Sequence, residues 1–398
     1  MEKNRLLSFA LAVQIGLAFF GPPIPFGDRL LFPADFWSFV WIAGFGAYWL
    51  FRSNDPRRTR VAAWLGGIAL LFLIVWAHGV ARPPLTEPLS HWFKNLPDDT
   101  FNAPKEAFVA FRFFMWIAGG MVVVLYRPEL ARLQRVLAAG VIVGGISLIA
   151  GKLVPGLAEF FGGIYHYDPS APTWIERSYG LFRSPVEASA CLGLSLIVLA
   201  TGNWAKSGVR LITFFIGVVG IAFSMTVTPV VSIFLSGCLV AVSRGSSINS
   251  RKIRILSVSL LFLFGLAIIL GWQSYLVRSK VGNLGYRIEP WKIFFGALAS
   301  RPDRLLLGTG FHPHFTDNIF VFTLVRGGLI GLALPLLFLA RWIGHRWTGL
   351  AFAQRTLVIH LLISGMMADN LIIRPFALVF VAVGVPFLFS IQKERLSH

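Results

Sequence analysis

Two histidines and an aspartate stand close together in the sequence GTGFHPHFTDN, at positions 308–318. His312 and His314 can accept a proton near neutral pH, which makes both of them candidate catalytic bases. Asp317 is a candidate for supporting them, and either Thr316 or Asp317 is expected to cap a helix that follows. The HPH triplet could bind a metal ion, but no cysteine and no second His/Asp cluster stands at a suitable spacing, so we expect no metal.

Arginines surround this segment. The loop 278–315, which includes the start of this segment, contains six basic residues, Arg287 among them, but only two acidic ones. Arg326 follows Asp317 by about two and a half helical turns, roughly 13 Å along a helix axis, inside an apolar run. A charge at that depth is expected to face a polar cavity or a carboxylate. Asn318 lies four residues after His314 and would share a helix face with it if the helix began early.

A second arginine pair occurs earlier, in the sequence ERSYGLFRSP. Arg177 and Arg183 are six residues apart around Gly180, just before an apolar run that opens with Pro185. The planar guanidinium donates two parallel hydrogen bonds and stays charged at any working pH, which suits a diphosphate ligand. Arg112, inside another apolar run, is a further candidate for substrate contact.

The elements that must position these residues are membrane helices. Hydrophobic residues make up 56% of the 398 residues and charged residues only 14%, a composition that excludes a soluble domain. Apolar runs of this length predict an all-α, polytopic membrane protein that forms a single transmembrane domain over 1–398. We predict about twelve spans, near 5–20, 36–51, 61–80, 107–126, 136–154, 186–201, 209–224, 226–243, 255–277, 316–340, 357–372 and 375–391.

The net charge of +18 reflects topology rather than nucleic-acid binding. Most lysines and arginines fall in alternate connections that contain few acidic residues, and such connections are cytoplasmic by the positive-inside rule. Both termini are then cytoplasmic. The two larger loops, 155–185 and 278–315, lie on the opposite, outer side of the membrane. Cys191 and Cys238 fall inside spans and are expected to serve in packing.

Two segments resemble the bacterial O-antigen ligases and the O-antigen or exopolysaccharide polymerases. The first is RSYGLFRSPVEASACL at 177–192, similar to the arginine-glycine-proline segment of that family. The second is LGTGFHPHFTDNIFVFTLVRGGLIG at 307–331, similar to a motif of glycines, His or Asp, and Asn that enters a helix. The order, spacing and topology agree over roughly 164–340. The chain departs from the family at 224–232, where it reads SMTVTPVVS in place of a Ser-Arg pair.

The resemblance implies a GT-C-like membrane glycosyltransferase of the bacterial inner membrane, with a periplasmic active site and no cofactor. Its donor would be a glycan on undecaprenyl diphosphate, transferred without metal and with inversion. Arg177, Arg183 and Arg287 would bind the diphosphate, while His312 or His314, with Asp317, would serve the acceptor hydroxyl. Asn318 and Arg326 would support them. Membrane lipid, a polysaccharide co-polymerase and a flippase are the implied partners, and no nucleic acid is expected.

Two alternatives remain at this point. The acceptor distinguishes a polymerase, which extends another lipid-linked repeat unit, from a ligase, which transfers the glycan to lipid A core; the sequence TDNIFVFTLVRGG favours the polymerase. A flippase or transporter would instead predict paired repeats and interrupted helices near the membrane midplane.

Overall fold

The structure is a computed structural model. It describes residues 2–26, 29–52, 58–81, 103–165, 178–182, 184–224, 226–242, 301–308, 318–367 and 374–390, with positions 259, 291–292, 295–296 and 298–299. These residues are mostly helical, which agrees with the predicted class. A two-stranded antiparallel hairpin, β1 at Ile24–Phe26 and β2 at Arg29–Leu31, joins the first two helices.

Most helices of the described residues overlap the predicted spans, but Pro155–Tyr165 and Pro302–Leu307 are helices inside the segments predicted as loops, 155–185 and 278–315. The helices are α1 Glu2–Phe20, α2 Pro33–Arg52, α3 Arg58–Val80, α4 Ala103–Tyr126, α5 Leu130–Leu153, α6 Pro155–Tyr165, α7 Pro185–Leu199, α8 Ser207–Phe223, α9 Val227–Val242, α10 Pro302–Leu307, α11 Ile319–Arg346, α12 Phe352–Met367, α13 Arg374–Val379 and α14 Val385–Phe389. A 3₁₀ turn, Trp347–Gly349, follows α11, and a π-helical turn, Phe380–Gly384, joins α13 to α14.

Several of these helices have the composition of membrane spans. Four described helices are long and apolar enough to cross a bilayer, over Thr59–Val80, Ala107–Tyr126, Leu130–Leu153 and Ile319–Gly344, and six shorter helices are also apolar. The chain is therefore a helical, membrane-embedded protein. The count of twelve spans stays a prediction, because nearly all of the predicted ninth span, 255–277, lies outside the described residues.

The core forms where α5, α8, α9, α12 and α13 pack around α7, and α1 packs against α5 and α13. From Ala188 to Leu199 every residue of α7 is buried. Helices α5 and α8 approach closely because Gly145 faces Gly220; a Cβ at Gly220 would lie 2.8 Å from the Gly145 Cα. Cys191 and Cys238 are both buried and form no disulfide, which confirms their predicted packing role.

A buried polar contact links α9 to α12. The hydroxyl of Ser232 lies 2.5 Å from His360 Nδ1, and both side chains are fully buried.

Helix α12 begins at Phe352, earlier than the predicted 357, so Arg355 belongs to a helix rather than to a connection. Its Nε donates a hydrogen bond to the Trp347 carbonyl at 3.0 Å, and the residue is only 1% exposed.

The end of the bundle near the segment between Arg177 and Arg183 is here called the distal end. It carries the end of α1 and the starts of α2, α7 and α13, which line one common pocket together with Pro23 and Phe32, the residues on either side of the hairpin. The end of α8 belongs to it as well, because Ser178 N–H donates to the Phe223 carbonyl at 3.2 Å. Helix α11 begins beside the end of α12, where Asn318 contacts Met366.

Candidate functional site

The segment between Arg177 and Arg183 is held firmly against two helices. The Ser178 hydroxyl donates to the Leu148 carbonyl of α5 at 2.6 Å, and the Leu181 N–H donates to the Ser147 hydroxyl at 3.2 Å. With the backbone bond to α8, these contacts fix residues 178–182. Any ligand bound by the flanking arginines would therefore meet a rigid turn.

Gly180 makes that turn possible. Its φ is +52°, a conformation in which side chains are disfavoured. A Cβ at this position would collide with the Ser147 hydroxyl and lie 2.8 Å from the Leu148 N–H. Phe182, two residues later in the turn, packs edge-on against Phe19 with ring centroids 5.8 Å apart.

The helix after the second motif begins at a different residue from the one expected. Asn318 is its N-cap, and the Asn318 Oδ1 accepts hydrogen bonds from the N–H groups of Phe320 and Val321 at 2.9 and 3.0 Å. The expectation that Thr316 or Asp317 caps this helix is therefore wrong. The Asn318 amide also donates to the Met366 carbonyl at 2.9 Å. Asparagine suits this position because one side chain can accept from the cap and donate to the neighbouring helix.

Arg326 lies eight residues into α11 and is only 8% exposed. Its guanidinium carbon stands 3.8 Å from the centre of the Phe322 ring, a cation–π contact one turn earlier on the same helix. Two residues further on, at Gly328, the helix is broken, with φ 62° and ψ −161°. The buried arginine therefore sits at an interruption in an apolar helix.

Helix α10 docks on that interruption through a second glycine. Gly308, at the end of α10, also has a positive φ of 73°. A Cβ at Gly308 would collide with the Arg326 carbonyl and lie 2.6 Å from the Gly328 nitrogen. Gly308 therefore allows the close approach of the α11 backbone.

Two more buried arginines belong to this region. Arg112 of α4 is 5% exposed, and its guanidinium stands 5.1 Å from the Trp116 ring and 5.9 Å from the Phe113 ring. Phe113 in turn meets Phe322 edge-on at 6.1 Å, so Arg112 and Arg326 flank one aromatic contact between α4 and α11.

Arg304 of α10 is 8% exposed, and its carbonyl accepts from the Gly308 N–H at 2.7 Å. Beside it, Asp303 Oδ2 lies 3.5 Å from Nε2 of His78, at the end of α3. Four helices, α3, α4, α10 and α11, thus meet around buried cationic side chains. Sequence reasoning treated Arg304 as one member of a basic loop, and its neighbours gave no signal of its burial, because Leu305 and Leu306 are themselves exposed.

Several predicted site residues lie outside the described residues. They are Arg177, Arg183, Arg287, His312, His314 and Asp317. Of the predicted set, the structure describes Asn318 as a helix cap and Arg326 as a buried cation. In the described part of the chain, no group of three or more His, Cys, Asp or Glu is arranged to hold a metal ion.

No protein-family model matches this chain, and no curated protein matches it.

Proposed function

We propose that this chain is a membrane glycosyltransferase that polymerises undecaprenyl-diphosphate-linked oligosaccharide repeat units at the periplasmic face of a bacterial inner membrane. The observation that carries the proposal is Arg326, a buried arginine at the break in the apolar helix α11. Ionisable residues within membrane helices are costly and usually face a functional partner. A lipid-linked diphosphate is an anionic partner that reaches the protein from the membrane.

The chemistry needs little beyond charge and orientation. The acceptor hydroxyl oxygen bonds to the anomeric carbon, while the bond from that carbon to the diphosphate oxygen breaks and its electron pair leaves with the lipid diphosphate. Guanidinium groups stabilise the charge that develops on this leaving group. Holding donor and acceptor in line supplies much of the remaining acceleration. Inversion at the anomeric carbon follows from a single displacement.

The proposed roles follow the two motifs. Arg177, Arg183 and Arg287 bind the diphosphate, and the anchored turn around Gly180 supports the first two of them. His312 or His314, with Asp317, takes the proton of the acceptor hydroxyl. Arg326 adds a buried positive charge, and Asn318 fixes the start of the helix that carries it. A co-polymerase and a flippase are the proposed protein partners.

One structural observation favours a candidate from another class. The break at Gly328 interrupts a helix long enough to span the membrane, and interrupted helices line the substrate sites of many transporters. The second candidate is therefore a flippase for the same lipid-linked glycan. It would move the substrate without forming a glycosidic bond.

An in vitro reaction separates these functions. Purified protein in detergent, without metal, is given an undecaprenyl-diphosphate oligosaccharide, and the products are resolved on a gel. A ladder of regularly spaced products supports polymerisation. A single transfer that requires lipid A core would identify a ligase instead. Movement of the lipid across vesicles containing the protein, with no new glycosidic bond under either condition, would overturn the proposal in favour of a flippase.

Variants then test the site. Arg177→Ala and His314→Ala are each expected to slow elongation by about 100-fold or more, in line with the loss of one charge-stabilising or proton-accepting group. Arg135→Ala is the matched control, because Arg135 is an exposed arginine of α5 outside both motifs. Equal rates for Arg177→Ala and Arg135→Ala would remove Arg177 from the diphosphate site.

A further inference from the structure

Three exposed arginines lie together at the end of the bundle where α1 begins, opposite the distal end and here called the proximal end. Arg5 lies in the first turn of α1, Arg127 follows the last residue of α4, and Arg132 lies in the first turn of α5. One hydrogen bond joins these segments, because the Glu129 N–H donates to the Ser8 hydroxyl at 2.9 Å. Arg5 stands three residues before Ser8, and Arg132 three residues after Glu129, a spacing that puts each pair on one helix face. The three arginines therefore gather around one contact between α1 and α5.

Neighbouring side chains do not neutralise these arginines in the part of the chain that the structure describes. All three are exposed, and no described side chain forms a hydrogen bond or an ion pair with their guanidinium groups. Glu129, which lies at the same contact, is also exposed and forms no ion pair with them. Like charges held close together repel each other, and a bound anion removes that repulsion. The contact between α1 and α5 thus offers positive charge to an anion.

Other cations of the proximal end make contacts of their own. The Nε of Arg135 donates to the Ala131 carbonyl of the same helix at 3.4 Å, and the Nη1 of Arg210 donates to the Gly202 carbonyl at 3.2 Å. These two residues add to the positive potential of the proximal end, but they do not join the cluster of Arg5, Arg127 and Arg132.

Arg127 has a backbone conformation that usually belongs to glycine. Its φ is +51°, and among the described residues it is the one non-glycine residue with a positive φ. Left-handed backbone is unfavourable for a residue with a Cβ, and glycine commonly follows the end of a helix for this reason. Residues that keep such a conformation concentrate at binding and catalytic sites. The arginine side chain, rather than the backbone, is therefore the reason to have this residue at the end of α4.

Apolar surface runs from these arginines toward the distal end. Phe9, one turn after Arg5 on α1, is 62% exposed, and Val143, three turns after Arg132 on the same face of α5, is 45% exposed. The distance from Arg132 to Val143 along the helix axis is about 16 Å. The hydrocarbon of one bilayer leaflet is about 15 Å deep. The surface therefore presents charge and then apolar side chains in the order in which a phospholipid has its head group and its chains.

The positive-inside rule also places arginines at one end of membrane helices. That rule concerns the number of basic residues in a connection. It gives no reason for three arginines from separate segments to converge, or for an arginine to occupy a left-handed position.

We infer that Arg5, Arg127 and Arg132 bind the phosphate of an anionic phospholipid, whose chains lie against the exposed apolar faces of α1 and α5. Guanidinium groups suit this phosphate because they donate paired hydrogen bonds and stay charged. Basic surface between membrane helices is a recurring site for such head groups. The site is independent of the proposed function, since it lies at the opposite end of the bundle from the first arginine motif.

Counting bound lipids tests the site without requiring catalysis. The full-length protein in neutral detergent is titrated with phosphatidylglycerol or with phosphatidylcholine, which has no net charge, and bound lipid is counted by native mass spectrometry. We expect phosphatidylglycerol to bind more tightly, and Arg127→Gly and Arg132→Gln each to weaken that binding about fivefold. Arg341→Gln is the matched control, because Arg341 is an exposed arginine near the end of α11, outside this cluster.

The Arg127→Gly variant also separates lipid binding from folding. Glycine favours the left-handed φ of this position, so the midpoint of thermal unfolding should be no lower than in the wild type. Weaker lipid binding by a variant of unchanged or higher stability is then due to the lost guanidinium. Equal affinity of the wild type for the two lipids would overturn the site, and so would equal affinities for phosphatidylglycerol in Arg127→Gly, Arg132→Gln and Arg341→Gln.

Soluble anions test the other occupants of the same surface. Inorganic phosphate and a polyglutamate peptide are added as competitors at the concentration of the lipid. We expect neither to displace phosphatidylglycerol, because neither covers the apolar faces of α1 and α5. Displacement by phosphate would show a site for soluble anions, and displacement by the peptide a site for an acidic protein segment; either result would overturn the assignment to a lipid. The gel assay of elongation decides the transferase proposal separately.

Discussion

Gly308 and Gly328 lie backbone to backbone, each with a positive φ and each leaving no room for a Cβ on the other. A Cβ at Gly308 would lie 2.6 Å from the Gly328 nitrogen, and a Cβ at Gly328 would lie 2.6 Å from the Gly308 nitrogen. Residues far apart in the second motif are therefore parts of one contact. It joins the end of α10 to the break in α11 beside Arg326.

Gly328→Ala is expected to disrupt this contact. The substitution forces a side chain into a left-handed conformation and against the Leu306 carbonyl, at a cost of about 1 to 3 kcal/mol. We expect a lower midpoint of thermal unfolding in detergent and loss of elongation. Gly327→Ala is the control, because a Cβ at Gly327 meets no described atom within 4 Å and Gly327 has no positive φ. Equal unfolding midpoints for the two variants would contradict the docking of α10.

Arg326→Gln is expected to lower the elongation rate by about 100-fold or more, because under the proposed function it removes a buried charge that would stabilise the diphosphate. Arg326→Lys should restore only part of the rate, since lysine keeps the charge but neither the planar fork nor the stacking on Phe322. Rates are compared in the same gel assay. Arg341→Gln, an exposed position near the other end of α11, should leave the rate unchanged. An active Arg326→Gln would refute the role of this arginine.

Gly180→Ala should displace the turn that separates Arg177 from Arg183. Its Cβ would collide with the Ser147 hydroxyl at a positive φ, so the turn must move away from α5. The expected result is weaker binding of undecaprenyl diphosphate, measured by equilibrium titration, together with slower elongation. Gly163→Ala on α6, where a Cβ meets no described atom within 4 Å, should bind the lipid as the wild type does. Unchanged lipid binding in Gly180→Ala would show that the turn does not position the arginines.

Asn318 combines two functions that substitutions can separate. Asn318→Ala removes the cap of α11 and the bond to the Met366 carbonyl, and should lower the free energy of unfolding by about 1 to 2 kcal/mol. Asn318→Ser keeps a capping oxygen but is too short to bridge to α12, so it should be destabilised less. Thermal unfolding of both variants checks this order. Equal loss in the two would mean that the bridge to Met366, and not the cap, accounts for the stability.

Much of the architecture follows from local sequence. Apolar runs predict helices in a membrane because backbone groups in lipid must be hydrogen-bonded within the segment. Arg326 stands out in the sequence because a charged residue within such an apolar run is unusual. Gly180 stands out because it separates two arginines just before the proline that opens a helix. The cap of α11 was placed one or two residues too early, because Thr316, Asp317 and Asn318 are all good caps and the choice depends on the contact with Met366.

The sequence by itself determined that this is a helical membrane protein with arginines and glycines in two motifs, since hydropathy, charge and glycine conformation are properties of each residue and its neighbours. Only the tertiary structure decided that Gly308 lies against the α11 backbone, that Arg304 and Arg112 are buried, and that Glu187 lines a pocket beside the anchored turn. These facts depend on contacts between residues far apart in the chain. Such contacts leave no periodic pattern in a single sequence, because any of several apolar faces could have packed at the same place.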